Sequence, residues 1–461
     1  MLSTLRSRLL RLLMVCALVL GGAVHAQTSS AGMNSCAPQL LGSWGAKEVS
    51  EGQRPTQGWQ SLVIPHSSAA SWPDWQGAVW YRLDWQLNCT QAGSAAPGTL
   101  ALAISGIRLA GTVYWNDGLL WSDRSLVEPF SRSWNIPRWW PVFVQDTQAV
   151  QTVWLRVVAA RPDVKGLGYV KLGNIASIRD EYAGRFWRQR TSYVLTAGLS
   201  LTIACVAMAV WMWRRSEKIY LWMGLMQLFW TLYLSAILSL EPWPGISSNV
   251  LASLALVFFM LYGHCFASFV LRFHAQKKVH LERALWALLA IWVAYISVDS
   301  SHMRLIGEIS LIWGVVVFNG GCIYAIYRAL RTREPQHLLL GAACAVMVLV
   351  AAHDIEVALR RWDNDLTWSY FSWPLNMLVL AVLLGWQVAS HMRRVDGFNV
   401  ELTGHVEQAR AELARVLAQQ HAKDLTVPSC KSVCNWRMTC TMAWAAAWCV
   451  PWRWWSRRPS R

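Results

Sequence analysis

The order of hydrophobic and polar residues divides this chain into regions of different period. Between residues 27 and 185, short runs alternate apolar and polar side chains and are separated by turn-forming residues. Between residues 192 and 391, seven apolar segments follow one another, each near the length that a bilayer requires. Between residues 395 and 425, apolar residues recur at steps of three and four. These periods predict, in order, β-strands, membrane-spanning helices and an amphipathic helix.

The first region has the alternation that is typical of an all-β sandwich. Its clearest strand patterns are 79–85, 99–104, 112–115 and 152–158. The tripeptide Asn116-Asp117-Gly118 predicts a hairpin turn, because all three residues tolerate positive φ. The carboxylates of this region are scattered, without the paired arrangement that glycoside hydrolysis requires. We therefore predict no catalytic residues here.

The seven apolar segments predict seven transmembrane helices. We place them at 192–213, 219–240, 249–273, 281–298, 305–330, 337–357 and 370–391. Basic residues gather after the first, third, fifth and seventh segments, whereas the second link, 241–245, has none. By the positive-inside rule, the N-terminal domain lies outside and the C-terminus lies in the cytoplasm. Arg360 and Arg361 in the sixth link break this rule, although Asp363 and Asp365 lie beside them.

The first residues have the features of a secretory signal peptide, which we predict to span 1–26. Basic residues precede an apolar run at 12–24, and small residues follow it. The domain at 27–185 would then be periplasmic, and the multi-pass chain would lie in a bacterial inner membrane. An oxidising compartment favours a disulfide between Cys36 and Cys89. The alternative is that these are two unpaired buried thiols.

Composition supports a membrane protein with a soluble part. Hydrophobic residues make up 54% of the 461 residues, and the mean hydropathy is +0.27. A formal net charge of +16 would suggest nucleic acid as the partner of a soluble protein. Here, however, Lys and Arg gather at the ends of apolar segments, where orientation in the membrane explains them. We expect the lipid bilayer as a partner and no nucleic acid.

The first region resembles the galactose-binding-like jelly roll that is found beside glycosidase catalytic domains. The motifs that carry the resemblance are Val79-Trp80-Tyr81-Arg82, 107–110, 113–118 and Ser133-Trp134-Asn135-Ile136. The resemblance implies a sensor domain for an unknown extracytoplasmic ligand, with carbohydrate as one candidate class. Tryptophan rings can stack on sugars, and the candidates are Trp115, Trp121, Trp134 and Trp139. The alternative for each ring is packing in the sandwich core.

Ionisable residues near the outer ends of the predicted spans form a candidate intramembrane polar network. They are Glu308, His353, Asp354 and Glu356. Such groups at membrane depth are often functional, as proton paths or ligand-coupled networks. The alternative is a structural, partly hydrated network, because groups near an interface reach water easily. The spacing of the last three does not match a metal motif, and we predict no metal site.

The segment 395–425 predicts a cytoplasmic coiled-coil linker. Its apolar stripe includes Val395, Leu402, Ala409 and Leu413, with charged residues between them. Parallel pairing of two such helices would give a homodimer. In signalling receptors a helix of this kind carries a shift or rotation from the membrane to an output module. The alternative is a helix on the bilayer surface, although a narrow stripe suits a partner helix better.

The tail at 426–461 has an unusual composition, which the genetic code explains. It holds six of the 31 Trp residues, four of the 11 Cys residues and no Asp or Glu. Because Met and Trp have single codons, the adjacent reading frame must encode Asp at Met438-Thr439 and Gly at Met442-Ala443 and at Trp444-Ala445. That frame can read Asp-Leu-His-Asp-Gly-Leu-Gly. We infer a frameshift near Leu425/Thr426; the alternative is a genuine basic, Trp-rich tail on the membrane.

The shifted reading resembles the phospho-acceptor helix of bacterial sensor histidine kinases of the H-D-x-[LV]-G subfamily, in which the His before Asp accepts the phosphoryl group. In its domain order, the chain resembles the bacterial seven-transmembrane receptors with diverse intracellular signalling modules. These resemblances imply the sensor part of a two-component histidine kinase. ATP, Mg²⁺ and a response regulator are expected only for an intact kinase. This chain is expected to bind no cofactor and to be inactive by itself.

Two other interpretations remain open. A stand-alone carbohydrate-binding receptor or a transporter-like protein would share the seven spans; inverted repeats favour a transporter, and we find none by inspection. The second interpretation is the same receptor with another output module, such as a cyclic-dinucleotide synthase. The shifted Asp-Leu-His-Asp-Gly-Leu-Gly reading disfavours both.

Overall fold

The computed structural model describes residues 36–73, 75, 77–89, 98–146, 148–158, 166–276, 278–298, 303–358 and 367–426. The predicted signal peptide and the tail beyond Thr426 lie outside these described residues. The chain divides into two compact units, residues 1–387 and residues 388–461.

The first unit begins with an antiparallel sheet region. Its strands are β1 (Cys36–Lys47), β2 (Gln60–Ser61), β3 (His66–Ser67), β4 (Val79–Cys89), β5 (Gly98–Ile104), β6 (Ile107–Arg108), β7 (Ala110–Trp115), β8 (Gly118–Ser122), β9 (Arg138–Val144), β10 (Gln151–Val158), β11 (Gly166–Leu167) and β12 (Val170–Gly173). A short helix, α1 (Ser68–Ser71), follows β3. The four strand patterns singled out from the sequence lie in β4, β5, β7 and β10.

The strands form one six-stranded sheet and two three-stranded sheets. The six-stranded sheet has the order β2-β1-β4-β10-β7-β8, and the smaller sheets have the orders β3-β11-β6 and β12-β5-β9. The predicted hairpin joins β7 to β8, with Trp115 paired to Gly118. Asn116 in this turn has a φ of 52°, a backbone conformation that Asn tolerates better than most residues.

A shared hydrophobic core joins the sheets, because alternate residues of each strand point to one face. In β10, Val153, Leu155 and Val157 are each 0% exposed. They lie in one cluster with Leu83 of β4 and with Leu102 of β5, which belongs to a three-stranded sheet. The six-stranded sheet and the β12-β5-β9 sheet therefore pack on each other.

Long helices follow the sheet region. They are α2 (Ile175–Phe186), α3 (Ser192–Trp213), α4 (Lys218–Leu238), α5 (Ser248–Phe273), α6 (Val279–Val298), α7 (Met303–Thr332), α8 (Pro335–Ala358) and α9 (Ser369–Thr426). A π-helical turn, Trp187–Thr191, joins α2 to α3. Seven helical segments among the described residues are long and apolar enough to cross a membrane. This composition indicates a multi-pass membrane protein, and each predicted span overlaps one of these segments.

The first of these segments begins earlier than the sequence analysis predicted. Ile175 to Trp213 form one run of 39 residues, so the last part of the region 27–185 is helical rather than β. The side chain of Asn174 accepts a hydrogen bond from the amide of Ala176 at 2.9 Å. An Asn side chain in this position satisfies a free amide at the start of a helix, and α2 therefore starts directly after β12.

In the second unit, the described residues continue α9. This helix runs from Ser369 to Thr426 over 58 residues, so the predicted last span and the predicted linker form one helix. From Met392 to Ala422 its side chains are exposed. They include the apolar stripe residues Leu402 and Leu413. An exposed apolar stripe at this spacing is typical of a helix that packs on a partner.

Candidate ligand-binding site

A cavity of about 920 Å³ lies between the sheet region and the helices of the first unit. Strands β5 and β12 line one side of it, and α2 with its π-helical turn lines another. Helices α4 and α9 supply most of the remaining wall. The volume is within the range of small-molecule sites. The lining residues come from distant parts of the sequence, so the cavity exists only in the folded chain.

Helix α2 is held against the sheet region by packing and by an ion pair. Ile178 is 2% exposed, and α2 contacts β5, β9 and β12. Lys171 of β12 reaches Glu181 with an Nζ to Oε2 distance of 2.6 Å. Arg185 also contacts Glu181, at 3.3 Å and one helical turn away. The Glu181 carboxylate is therefore balanced by two cations within the cavity wall.

Four buried polar atoms without a protein partner belong to residues of the cavity wall. Asn135 Nδ2, Tyr182 Oη, Gln189 Oε1 and Trp230 Nε1 are all buried, and none has a hydrogen-bond partner among the described residues. All four residues line the cavity. Asn135 is 6% and Trp230 2% exposed. Unsatisfied buried polar groups are rare in native proteins and call for an explanation, which a polar ligand or bound water would supply.

The π-helical turn contributes a cation to the cavity. Arg188 lies in this turn and lines the cavity next to Gln189. Its guanidinium has no hydrogen-bond or ion-pair partner within the described part of the chain. A single turn of π-helix is frequently found at functional sites, because it changes the direction of the side chains that follow.

Aromatic rings form the wall of the cavity on the helix side. Trp230 of α4 stacks on Trp373 of α9, with ring centroids 4.0 Å apart. The ring centroid of Tyr233 lies 5.2 Å from that of Trp230, and the ring centroid of Tyr262 of α5 lies 4.8 Å from it. The lining of the cavity therefore combines these aromatic rings with the polar groups of α2. The Trp230 and Trp373 contact also connects the cavity to α9.

The candidate residue Asp354 has a structural role at the start of α9. Its carboxylate accepts hydrogen bonds from the amides of Trp368, at 2.7 Å, and Ser369, at 3.1 Å. A carboxylate at a helix N-terminus satisfies free amides and interacts favourably with the helix dipole. His353 contacts Asp354 at 3.2 Å and stacks on Trp368 at 4.0 Å. Asp354 also lines the cavity.

The loop between β8 and β9, residues 123–137, fastens the sheet region to two helix ends. The amide of Ser248, the first residue of α5, donates to Glu128 Oε1 at 2.5 Å. Arg132 donates from its guanidinium to the Ala236 carbonyl at 2.8 Å, near the end of α4. Its backbone amide donates to the Leu240 carbonyl at 2.7 Å. The acidic group lies at a helix N-terminus and the basic group at a helix C-terminus, and both positions are electrostatically favourable.

Burial changes the acid–base properties of this loop. Arg132 is 9% exposed, and burial lowers the pKa of its guanidinium. Burial also raises the pKa of Asp123, although hydrogen bonds from Ser133 and Gly111 and the nearby Arg138 act in the opposite direction. Hydrogen bonds hold both side chains: Arg132 donates to the Ala236 carbonyl, and Asp123 accepts from Gly111 and Ser133.

The four predicted tryptophans occupy different environments. Trp134 is 42% exposed. Among the cavity-lining residues in the described part of the chain, it is the one member of the four. Trp121 lies 4.1 Å from the Arg138 guanidinium, and both Trp121 and Trp115 pack against the hydrophobic core of the sheet region. Trp139 lies in β9, paired with Ala103. Trp115 and Trp121 therefore pack against the core, as the alternative interpretation expected. For Trp134 and Trp139, stacking on a sugar remains a prediction.

The remaining predicted residues lie outside the cavity. Cys36 and Cys89 are opposite each other in the register of β1 and β4, and their disulfide remains a prediction. Glu308 lies in α7 and Glu356 near the end of α8. The structure brings His353 and Asp354 into contact, while a network of all four residues remains a prediction. Among the described residues, no group of three or more His, Cys, Asp or Glu side chains is placed to hold a metal ion.

Sequence signals for this cavity were weak, because its polar residues are separated by long intervals. Asn135 belonged to a motif that suggested only a fold, whereas Trp134 in the same motif was a predicted sugar-stacking residue. Tyr182, Gln189 and Trp230 had no signal that distinguished them from ordinary residues of a helix.

Comparisons with known proteins show no family. No protein-family model matches the chain, and no curated protein matches it. A solved structure of a β-glucosidase from Kluyveromyces marxianus in complex with glucose is similar to part of the chain, with 13% sequence identity and a TM-score of 0.18. The similarity covers 34% of this chain and 18% of the β-glucosidase chain, so the chain spans less than a fifth of that enzyme. A likeness at this level does not indicate a function.

Proposed function

We propose that this protein is a bacterial inner-membrane receptor for signal transduction, the sensor part of a two-component sensor histidine kinase. The N-terminal region would be a periplasmic jelly roll, and the end of α9 would be a cytoplasmic coiled coil. A small molecule would bind in the cavity, and its presence would be transmitted to an output module in the cytoplasm.

One observation carries this proposal: helix α9 both lines the cavity and continues far past its apolar segment. Ser369 and Trp373 at the start of α9 are cavity residues, and the same helix extends to Thr426. A ligand that contacts Trp373 would favour one position of α9 over another. A continuous helix can carry such a shift along its length, provided that it has two stable packings.

The histidine-kinase output rests on the shifted reading frame after Leu425. The gene sequence across the codons for Leu425 and Thr426 tests it. We expect the adjacent frame to encode Asp-Leu-His-Asp-Gly-Leu-Gly and to continue as an open reading frame with an ATP-binding domain. A stop codon in that frame, or Tyr at the position of the His, would contradict this output and leave only a receptor.

A second candidate function is a stand-alone receptor for carbohydrate. The exposed ring of Trp134 in the cavity wall favours it, since tryptophan stacks on sugar rings. The two proposals differ in their output: a stand-alone receptor would not depend on a phosphorylated His.

A further inference from the structure

We propose that the cavity binds an organic carboxylate with an aromatic or other apolar body, and that Arg188 holds the carboxylate. This inference rests on the proposed receptor function and specifies the chemistry of its ligand. It depends on the charges, the hydrogen-bonding groups and the shape of the cavity, taken in turn.

The charges of the cavity wall leave one cation unbalanced. Three basic and two acidic side chains line the cavity. Lys171 and Arg185 both contact Glu181, and Asp354 accepts from two backbone amides. Arg188 has no such partner among the described residues. A guanidinium in a half-buried site gains most from a carboxylate, because the hydrogen bonds are charge-assisted and can be bidentate.

The other unpartnered groups of the wall are mostly donors. Asn135 Nδ2 and Trp230 Nε1 can only donate, and Tyr182 Oη can donate. Among these atoms, only Gln189 Oε1 accepts without donating. A sugar hydroxyl can accept from these donors as well, but it is neutral and cannot balance the charge of the Arg188 guanidinium. A carboxylate has acceptor oxygens alone, so it matches the three donors and balances Arg188, while Gln189 Oε1 would accept from a bound water.

The shape of the cavity provides room for an apolar body. The rings of Trp230, Tyr233 and Trp373 belong to the cavity lining contributed by α4 and α9, and the first and last of them stack on each other. The volume of about 920 Å³ accommodates a ring or a short chain together with water. The ligand would therefore place its carboxylate at Arg188 and its body against α4 and α9.

The test is isothermal titration of the full chain in detergent with three acids and their neutral amides. The probes are phenylacetate, indole-3-acetate and 4-phenylbutyrate, each paired with its amide, and glucose. We expect saturable binding of at least one acid and at least tenfold weaker binding of its amide, because a charge-assisted hydrogen bond is lost. The proposal is overturned if none of the acids binds, if an acid and its amide bind equally, or if glucose alone binds.

Two variants locate the carboxylate. In Arg188→Gln, binding of the acid should fall at least tenfold while binding of the amide stays within a factor of about three. The control is Arg179→Gln, because the exposed Arg179 side chain lies beside Asp180. This variant should leave the binding of the acid and of its amide unchanged. Equal loss for the acid and the amide, or a normal acid affinity in Arg188→Gln, would overturn the role of Arg188.

A third variant separates ligand binding from folding. Tyr182 Oη has no protein partner among the described residues, so Tyr182→Phe should keep or raise the thermal stability of the ligand-free protein while acid affinity falls. A loss of stability in this variant would show that the hydroxyl has a structural role and would contradict its use by the ligand. These experiments need no kinase activity, so their failure leaves the histidine-kinase output to be judged by its own test.

Discussion

The Glu128 carboxylate accepts a hydrogen bond of 2.5 Å from the backbone amide of Ser248, the first residue of α5. Four residues further along the same loop, Arg132 donates to a carbonyl at the end of α4. The β8–β9 loop therefore holds adjacent ends of two helices through side chains of opposite charge. Since α4 also lines the cavity, this loop keeps the sheet region and the membrane helices in a fixed geometry around the site.

Loss of the Arg132 side chain should weaken this connection. In Arg132→Leu, the Ala236 carbonyl loses a buried donor, and we expect the free energy of unfolding to fall by about 1–3 kcal/mol. Titration with SDS of the protein in mild detergent measures this change. The matched control is Arg124→Leu, because Arg124 is 84% exposed and pairs with Glu241 at the surface; its effect should stay below about 1 kcal/mol. An equal loss of unfolding free energy in the two variants would contradict the claim that Arg132 connects the loop to α4.

Removal of the Asp354 carboxylate should loosen the start of α9. In Asp354→Ala, the amides of Trp368 and Ser369 lose their acceptor, and we expect a loss of about 0.5–2 kcal/mol. Asp354→Asn keeps an acceptor without the charge and should lose less. Hydrogen exchange at the first turn of α9 measures the effect locally. Unchanged protection in the Ala variant would contradict the capping role.

The membrane spans and main strands were predictable because their signals are local. A run such as 152–158 shows its alternation within seven residues, and β10 buries Val153, Leu155 and Val157 as that alternation requires. The cavity was not predictable, because it depends on contacts across the fold. Asn135 and Trp230 come together only after the sheet region has packed on the helices. Helix α2 was missed because its apolar face is short and its charged residues resemble those of a loop.

The register of β1 and β4 leads to a prediction about two cysteines of the sheet region. Cys36 and Cys89 are directly opposite, and such antiparallel partners have Cα atoms roughly 4.5–5.5 Å apart, within reach of a disulfide. Peptide mapping without reduction should therefore find the two residues linked. Cys36→Ser and Cys89→Ser should each lower stability by about 2–4 kcal/mol. Alkylation of both thiols before reduction would contradict the pairing.

The exposed stripe of α9 predicts a homodimer through this helix. Ala409 lies in the stripe, whereas Ala411 lies two residues away, on the other side of the helix. In membranes treated with copper phenanthroline, Ala409→Cys should form crosslinked dimers. The matched control, Ala411→Cys, should give only the background of the parent chain. Crosslinking at equal rates would indicate that α9 does not pair along this stripe.

The central claim is that this chain is the sensor part of a histidine kinase, and autophosphorylation of the frame-restored protein tests it most directly. The restored chain, in membrane vesicles with labelled ATP and Mg²⁺, should take up a phosphoryl group on the His of Asp-Leu-His-Asp-Gly-Leu-Gly. Replacement of that His by Gln should abolish the label. Normal labelling in the Gln variant, or no labelling of the restored chain, would contradict the account.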